Sequence, residues 1–306
     1  MLAFPDRLEA SVVRCQNPVL VGLDPRADML PPGLLASCEA SRPEKIAAAY
    51  EQFCREIIDV VARRVPAVKP QAAFFEELGP AGMGALAGVM RYAREQGLIV
   101  ILDGKRNDIG STAMAYARGF LGRESPWGGD ALTVSPYLGD DSLQPFVDVA
   151  AEQMAGVFVL VKTSNPGGRM IQDLVAEGKP IYRHVAEFVE RLAVMSEGDN
   201  EYGAVGAVVG ATYPQQLAEL RAAMPHTWFL VPGFGSQGGT AADVAAAFDP
   251  EGRGAIVNNS RGIIFAHSLK PYQERFGAAR WQEAVEAATN DMIDQLRAET
   301  PAGKLA

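Results

Sequence analysis

Cysteine and histidine are both scarce in this chain of 306 residues. Each type occurs three times, at Cys15, Cys38 and Cys54 and at His184, His226 and His267. The cysteines are odd in number and lack CxxC spacing, and the histidines are equally scattered, which argues against a disulfide framework and a zinc site. We therefore interpret all of them as structural or surface residues and expect no metal site.

Positively charged residues are fewer than negatively charged ones. The chain has 28 Lys and Arg residues against 37 Asp and Glu residues, which gives a net charge of −9. A nucleic-acid-binding protein needs clustered Lys and Arg side chains to neutralise phosphates, so we expect no nucleic-acid partner. An anionic substrate would have to be bound by local positive groups.

Long apolar runs, runs of like charge, low-complexity tracts and long Gly/Ser linkers are missing. No apolar stretch approaches the ~20 residues of a membrane span. The N-terminal residues include Asp6, Arg7 and Glu9 in place of the basic end and apolar core of a signal peptide. We expect a cytoplasmic protein that does not enter a membrane, with a single domain over residues 1–306.

The sequence does contain a regular alternation of apolar runs and helical segments. The eight apolar runs cover residues 19–23, 67–68, 98–102, 130–134, 157–161, 205–209, 228–231 and 255–257. Helices are predicted at about 42–64, 80–96 and 281–298, with inserts near 25–42 and 165–180. Eight βα units predict an α/β fold of the (β/α)8 TIM-barrel type, and a doubly wound open sheet is the alternative.

Polar residues follow these runs where strands would end. The run at 98–102 has no polar alternation, as in a strand buried on both faces, and it leads into Asp103 and Lys105. If strand geometry persists, these two side chains point to the same side, a few Å apart. In a barrel the carboxyl ends of all strands converge on one pocket. The residues expected to meet there are Asp24, Lys69, Asp103, Lys105, Ser164, Gln237 and Arg261.

Two glycine-rich segments late in the chain indicate a phosphate site. Residues 232–239 and 260–262 follow the last two runs, where barrels commonly bind phosphate through backbone N–H groups. Arg261 adds a guanidinium that matches phosphate oxygens. Plainer interpretations stay open: tight glycine turns beside a solvent-facing Arg261, and a structural Asp103–Lys105 ion pair with Asp108 as a helix N-cap.

The segment from Asp103 to Thr112 resembles the signature Asp-x-Lys-x-x-Asp-Ile-x-x-Thr of the orotidine 5′-phosphate decarboxylase family. The resemblance covers nearly the whole predicted barrel. The residues that it implies in substrate binding are Asp24, Lys69, Thr112, Ser164, Pro232, Gln237, Gly238, Ser260 and Arg261. Because Lys69-Pro70-Gln71 replaces a Lys-x-Gly pattern and two inserts are added, the chain looks like the longer, type 2 branch.

This resemblance implies decarboxylation of orotidine 5′-monophosphate to uridine 5′-monophosphate and CO₂ in pyrimidine biosynthesis, without a cofactor. It implies catalytic roles for Lys69, Asp103, Lys105 and Asp108, with Lys105 protonating C6 of the pyrimidine. Asp108 and Thr112 would reach the ribose bound by a neighbouring subunit. The implied assembly is a homodimer with composite active sites.

Two other functions stay open. Metal-dependent decarboxylases or aldolases of sugar phosphates share the Asp-x-Lys-x-x-Asp pattern, but they place a Mg²⁺-binding carboxylate where this chain has Lys69, whose charge would repel the metal. The second alternative is a catalytically silent barrel that binds phosphate beside a structural charge network, although unpaired buried charges are costly.

Overall fold

A closed barrel of parallel strands forms the centre of the computed structural model, which describes residues 2–35, 42–235 and 238–305. The barrel strands are β1 Val19–Leu23, β2 Ala67–Pro70, β3 Ile99–Arg106, β4 Ala131–Val134, β5 Gly156–Lys162, β8 Val205–Val209, β9 Phe229–Val231 and β10 Ala255–Asn259. Their order around the barrel is β1-β10-β9-β8-β5-β4-β3-β2. Pairing of Val19 with Val257 joins β1 to β10. The predicted TIM barrel is confirmed, and the open-sheet alternative is wrong.

Helices surround this barrel. They are α1 Phe4–Cys15, α2 Pro43–Val61, α3 Ala72–Glu76, α4 Gly79–Glu95, α5 Gly110–Phe120, α6 Asp140–Glu152, α7 Arg169–Gln172, α8 Ile181–Met195, α9 Pro214–Ala223, α10 Ala241–Val244, α11 Arg261–Ile264, α12 Tyr272–Phe276 and α13 Trp281–Glu299. The helices predicted at 42–64, 80–96 and 281–298 correspond to α2, α4 and α13. None of the described helices is both long and apolar enough to cross a membrane.

Helix α4 forms although its several glycines lower its helix propensity. Close packing explains Gly82, because a Cβ there would lie 1.9 Å from the backbone carbonyl oxygen of Phe75 on α3. Gly88 faces the carboxylate of Glu51 on α2, the end of a flexible side chain. Tertiary contact with α2 and α3 therefore stabilises a helix that would be weak in isolation.

The core has an inner layer inside the barrel and an outer layer between strands and helices. Leu20, Ile101 and Phe158 belong to the inner layer, and the adjacent Leu102 belongs to the outer layer. This alternation follows from the period of two along each strand. A barrel strand is consequently apolar at successive positions.

Helix α1, which the sequence analysis did not predict, fills the N-terminal end of the barrel. Its Phe4, Leu8 and Val12 join the inner layer. A Cβ at Gly156, the first residue of β5, would lie 2.2 Å from the Phe4 ring. Because one end is filled in this way, a ligand has access from the carboxyl ends of the strands.

The insert near 165–180 consists of a short turn at Pro166–Gly168, helix α7 and an antiparallel hairpin of β6 Val175–Ala176 and β7 Lys179–Pro180. The insert near 25–42 begins with a turn at Ala27–Met29. Its residues 36–41 lie outside the described ranges. Both inserts follow the carboxyl end of a barrel strand, so both belong to the face where polar residues converge.

Candidate active site

Asp103 is the centre of a charge cluster at this face. Its Oδ2 accepts hydrogen bonds from Lys69 Nζ at 2.8 Å and from Gln71 Nε2 at 3.0 Å. Its Oδ1 accepts from Lys105 Nζ at 2.6 Å and from Thr133 Oγ1 at 3.0 Å. Each carboxylate oxygen thus has one ammonium donor and one uncharged donor, which fixes the plane and position of the carboxylate.

The two ammonium groups decide the ionisation of Asp103. Burial works against the charged form of this carboxyl, but Lys69 and Lys105 outweigh burial and hold its pKa well below its usual value. Burial also works against the charged form of Lys69, but Asp103 and Asp24 outweigh it, so the pKa of Lys69 is raised. At neutral pH Asp103 is therefore an anion and Lys69 a cation.

Lys105 does not continue β3 as a regular strand. The pairing of β3 with β4 shifts register between Leu102 and Arg106. Lys105 has a φ of 43°, in the left-handed region that residues other than glycine rarely adopt. The predicted pairing of Asp103 with Lys105 is confirmed, but regular alternation was the wrong reason, because an irregular backbone aims the ammonium at Asp103.

Two adjoining cavities open beside this cluster. One, of about 420 Å³, is lined by Lys69, Asp103 and Lys105 at one end and by the apolar side chains of Leu160 and Val208. The other, of about 550 Å³, is lined by Asp24, Arg26, Gln71, Lys105 and Arg261, with Ala73, Phe74 and Gly104. The charge cluster consequently faces a mixed polar and apolar space large enough for a nucleotide-sized ligand.

Two oxygen atoms at the cavity wall lack protein partners. Oδ1 of Asp24 and Oδ1 of Asn258 are buried and have no hydrogen-bond partner among the described residues. Both side chains line the 420 Å³ cavity. Because buried polar atoms are normally satisfied, these acceptors fit a ligand that presents hydroxyl or N–H donors.

Pro232, at the start of the glycine-rich segment, and Arg261 both line these cavities. Pro232 lines the 420 Å³ cavity, and Arg261 lines the 550 Å³ cavity. Gly233, Gly235 and Gly238 have φ values of 104°, 70° and 92°, which explains their identity as glycines. Gly238 is exposed. Gln237, a predicted contact, lies outside the described residues.

Ser260 is placed differently from Arg261. Its hydroxyl donates to the carbonyl oxygen of Gly22 on β1 at 3.2 Å. A Cβ at Gly22 would lie 2.7 Å from the Ser260 Cβ, so the chain that follows β10 approaches β1 closely at this point. The hydroxyl is therefore engaged with the barrel, and substrate contact by Ser260 stays a prediction.

The similarity to known proteins agrees with this geometry. Residues 17–274 match the family described as "Orotidine 5'-phosphate decarboxylase / HUMPS family". The chain belongs to this family. A relative from Rhodopirellula baltica named orotidine 5′-phosphate decarboxylase is 58% identical over 301 residues, which cover 97% of this chain and 100% of the relative. One of the same name from Deinococcus radiodurans is 45% identical over 250 residues, which cover 81% of this chain and 87% of the relative.

Solved structures of this family are similar as well. The structure of a Leishmania donovani OMP decarboxylase matches with a TM-score of 0.75 at 34% identity, covering 97% of this chain and 98% of the other. A putative orotidine 5′-phosphate decarboxylase from Streptomyces avermitilis matches with a TM-score of 0.78 at 33% identity, covering 98% and 96%. The predicted family and the predicted carboxy-lyase class are confirmed.

Asp108 of the family signature lies between β3 and α5, and Thr112 lies in the first turn of α5. Within the described part of the chain, neither residue lines the cavities beside Lys105. The alternative interpretation of Asp108 as the N-cap of α5 is wrong, because the N-cap is Ile109 without a side-chain cap bond. Asp108 Oδ1 accepts from the Ile109 N–H at 2.9 Å. Thr112 is exposed on the first turn of α5.

Ser164 lines the 420 Å³ cavity, as the sequence predicted, and the 165–180 insert fixes the chain beside it. Gln172 on α7 accepts from the Thr163 N–H at 3.0 Å and donates to Thr163 Oγ1 at 2.8 Å. Lys162, whose side chain is 1% exposed, forms an ion pair with Asp173. The insert is therefore bonded to the end of β5 at two consecutive residues, Lys162 and Thr163.

Several polar residues at the cluster or its cavities were not predicted as site residues: Arg26, Gln71, Thr133, Thr163, Asn165 and Asn258. Gln71 had a usable signal, because it stands two positions after Lys69 and so shares its side of the strand. The signal at Thr133 was weaker: it is a polar residue within the apolar run at 130–134. Neither spacing shows that the two side chains meet at Asp103, since they come from different strands.

Metal-ligating residue types are dispersed. Cys54 is buried, and burial raises the pKa of its thiol, while Cys15 is partly exposed and free. Cys38 lies outside the described residues. In the ranges that the structure describes, no group of three or more His, Cys, Asp or Glu side chains could hold a metal ion.

Proposed function

We propose that this protein decarboxylates orotidine 5′-monophosphate to uridine 5′-monophosphate and CO₂ without a cofactor. The observation that supports it most directly is the pair of ammonium groups held on Asp103 at one end of a cavity. Membership in the family, whose relatives carry this name, supports the same substrate.

The reaction needs charge stabilisation above all. When the bond between C6 and the carboxylate breaks, CO₂ leaves and the electron pair stays on C6, where the pyrimidine ring delocalises it poorly. Enzymes lower such barriers by about 8–23 kcal/mol, and preorganised charge is the largest plausible source. The Lys105 ammonium faces the developing carbanion and then transfers a proton to C6.

Lys69 and Asp103 prepare this step. Asp103 remains an anion because of its two ammonium neighbours, so it fixes the Lys105 ammonium without taking its proton. Lys69 occupies the position where related sugar-phosphate enzymes hold a metal-binding carboxylate, and its charge takes over the electrostatic role there. The apolar wall of Leu160 and Val208 suits the departing CO₂.

The remaining rim residues suit the nucleotide. The unpaired oxygens of Asp24 and Asn258 accept from ribose hydroxyls or ring N–H groups. Arg261 and the glycine-rich loop of residues 232–239, with Gln237 and Gly238, hold the phosphate. Phosphate binding remote from C6 supplies binding energy that orders the reacting end.

An ultraviolet assay of orotidine 5′-monophosphate loss tests this function. We expect turnover that excess chelator leaves unchanged, and loss of more than about 10³-fold in kcat for Lys105→Ala with retained binding of the product. Activity lost to chelator and restored by Mg²⁺ would contradict the cofactor-free mechanism. Turnover of Lys105→Ala within tenfold of the parent would remove Lys105 as the acid.

The proposal includes a homodimer in which Asp108 and Thr112 serve the partner's site. Among the described residues, neither of these two lines the cavities beside Lys105 of its own chain, which fits this arrangement. Helix α5 begins beside Ile109, whose side chain is 57% exposed, and Tyr137 after β4 is 75% exposed. In the proposed dimer these exposed side chains become buried against the partner.

Mixing two inactive variants tests the shared site. Lys105→Ala and Asp108→Ala, unfolded together and refolded, form mixed dimers with one doubly defective site and one intact site. Random pairing makes about half the dimers mixed, so about a quarter of parental activity returns if the interface is two-fold symmetric. No recovery, with mixed dimers demonstrated by native mass spectrometry, would place both residues in the same subunit's site.

A further inference from the structure

Thr133 carries a buried hydroxyl on a strand whose other residues are apolar. It lies on β4 and is 2% exposed. Ala131, which precedes it by one strand period, belongs to the apolar inner layer with Ile101 and Phe158. A buried hydroxyl is costly unless it is hydrogen-bonded, and valine has almost the same shape, so the hydroxyl calls for an explanation.

The hydroxyl closes a ring of hydrogen bonds through Lys105. The Lys105 backbone N–H donates to Thr133 Oγ1 at 2.9 Å, and the Thr133 hydroxyl donates to Asp103 Oδ1 at 3.0 Å. The same Oδ1 accepts from Lys105 Nζ at 2.6 Å. Thr133 therefore connects the backbone of Lys105 to the carboxylate that its own side chain contacts.

Packing alone does not hold Lys105 in place. Its side chain is 48% exposed, against 5% for the Lys69 side chain. Its backbone is in the left-handed region at a register shift of β3, a strained conformation that persists only where neighbouring bonds impose it. Thr133 supplies the partner of the Lys105 N–H in that conformation.

We propose that Thr133 is a positioning residue for decarboxylation, holding Lys105 in its strained backbone conformation so that its ammonium stays over Asp103 and faces C6. This proposal rests on the proposed role of Lys105 as the acid. Without the hydroxyl, the Lys105 N–H loses its acceptor, and the backbone relaxes toward the extended region. The ammonium then moves toward solvent while the phosphate and ribose contacts remain.

The test compares kcat, KM and uridine 5′-monophosphate affinity among variants at position 133. Thr133→Val keeps the side-chain shape, and we expect kcat to fall by about 10- to 100-fold, because a small misplacement of a reacting group has an effect of this size. KM and the dissociation constant of uridine 5′-monophosphate should stay within about twofold. Thr133→Ser keeps the hydroxyl and should recover kcat to within about threefold of the parent.

Thr289→Val is the matched control. Thr289 is also fully buried, and its hydroxyl donates to the Val285 carbonyl oxygen within α13, away from the cluster. This variant should keep parental kcat. A loss of kcat as large as that of Thr133→Val would show a general effect of removing a buried hydroxyl and would overturn the proposal.

A second pair of variants decides the matter if Thr133→Val does not fold. Thr133→Ala and Thr133→Ser both remove the methyl group and differ by the hydroxyl alone, so kcat of the alanine variant should be at least about tenfold lower. Equal kcat values, or an alanine variant that unfolds while the serine variant is fully active, would overturn the positioning role. An inactive parent protein would instead refute the proposed function itself.

Discussion

Removing Asp103 should destabilise the protein more than removing its buried partner Lys69. The Lys69 and Asp103 side chains are 5% and 11% exposed, and Nζ lies 2.8 Å from Oδ2. At an effective dielectric constant of about 20, two unit charges at this separation attract by roughly 6 kcal/mol, and desolvation offsets much of this. The two single variants are unequal because they leave different partners behind.

Asp103→Asn keeps the shape of the side chain but leaves Lys69 as a buried cation with Asp24 as its remaining acidic neighbour. Breaking a buried pair in this way costs about 3–5 kcal/mol. Lys69→Met instead leaves Asp103 with its bonds to Lys105, Gln71 and Thr133. Because those donors still satisfy the carboxylate, the cost should be about 1–2 kcal/mol, the worth of one charged hydrogen bond.

Thermal unfolding followed by circular dichroism at pH 7 measures this difference. With about 2–4 °C of melting temperature per kcal/mol in a chain of this size, Asp103→Asn should melt at least about 6 °C below the parent and below Lys69→Met. Asp148→Asn, at an exposed position on α6, is the control and should melt with the parent. Equal melting temperatures for Asp103→Asn and Lys69→Met would refute the asymmetry.

The effect of pH provides an independent check. The folded-state pKa of Asp103 lies below its unfolded value of about 3.9, so its contribution to stability is present above that value. It is lost as pH falls through the folded pKa. The difference in melting temperature between Asp103→Asn and the parent should therefore be constant from neutral pH to about pH 5 and shrink below about pH 4. A difference that shrinks between pH 7 and pH 5 would contradict the depressed pKa.

Three further predictions concern the rim and the insert. Arg261→Ala should raise KM by about 10- to 100-fold in steady-state assays. Arg261→Lys should bring KM only part of the way back to the parental value, because a single ammonium cannot bind phosphate bidentately. Asp173→Asn leaves Lys162 buried without its carboxylate and should lower the melting temperature more than Lys162→Met, and the reverse order would contradict the ion pair's role. Gln172→Ala should raise KM while the far-ultraviolet spectrum stays parental, because its two bonds to Thr163 fix the chain that leads into the cavity. An unchanged KM would mean that the insert does not position this segment.

The sequence alone determined the barrel and the charged members of its site. The eight apolar runs alternate with helical segments, as in a parallel sheet covered on both faces, and six of the runs are followed within a few positions by a predicted site residue. Local sequence patterns, together with the rule that strand ends converge, were therefore enough to predict the charged residues Asp24, Lys69, Asp103, Lys105 and Arg261. The signature from Asp103 to Thr112 is likewise continuous in the chain.

The tertiary structure alone decided which uncharged groups complete the cluster and how Lys105 is held. Gln71 and Thr133 reach Asp103 from neighbouring strands, and the register of those strands depends on packing across the whole barrel. The left-handed backbone of Lys105 opposes its local preference, and its N–H donates to Thr133, which lies 28 positions further along the chain. A local sequence pattern indicates the backbone conformation that a segment prefers. At this site, contacts between segments distant in sequence outweigh that preference.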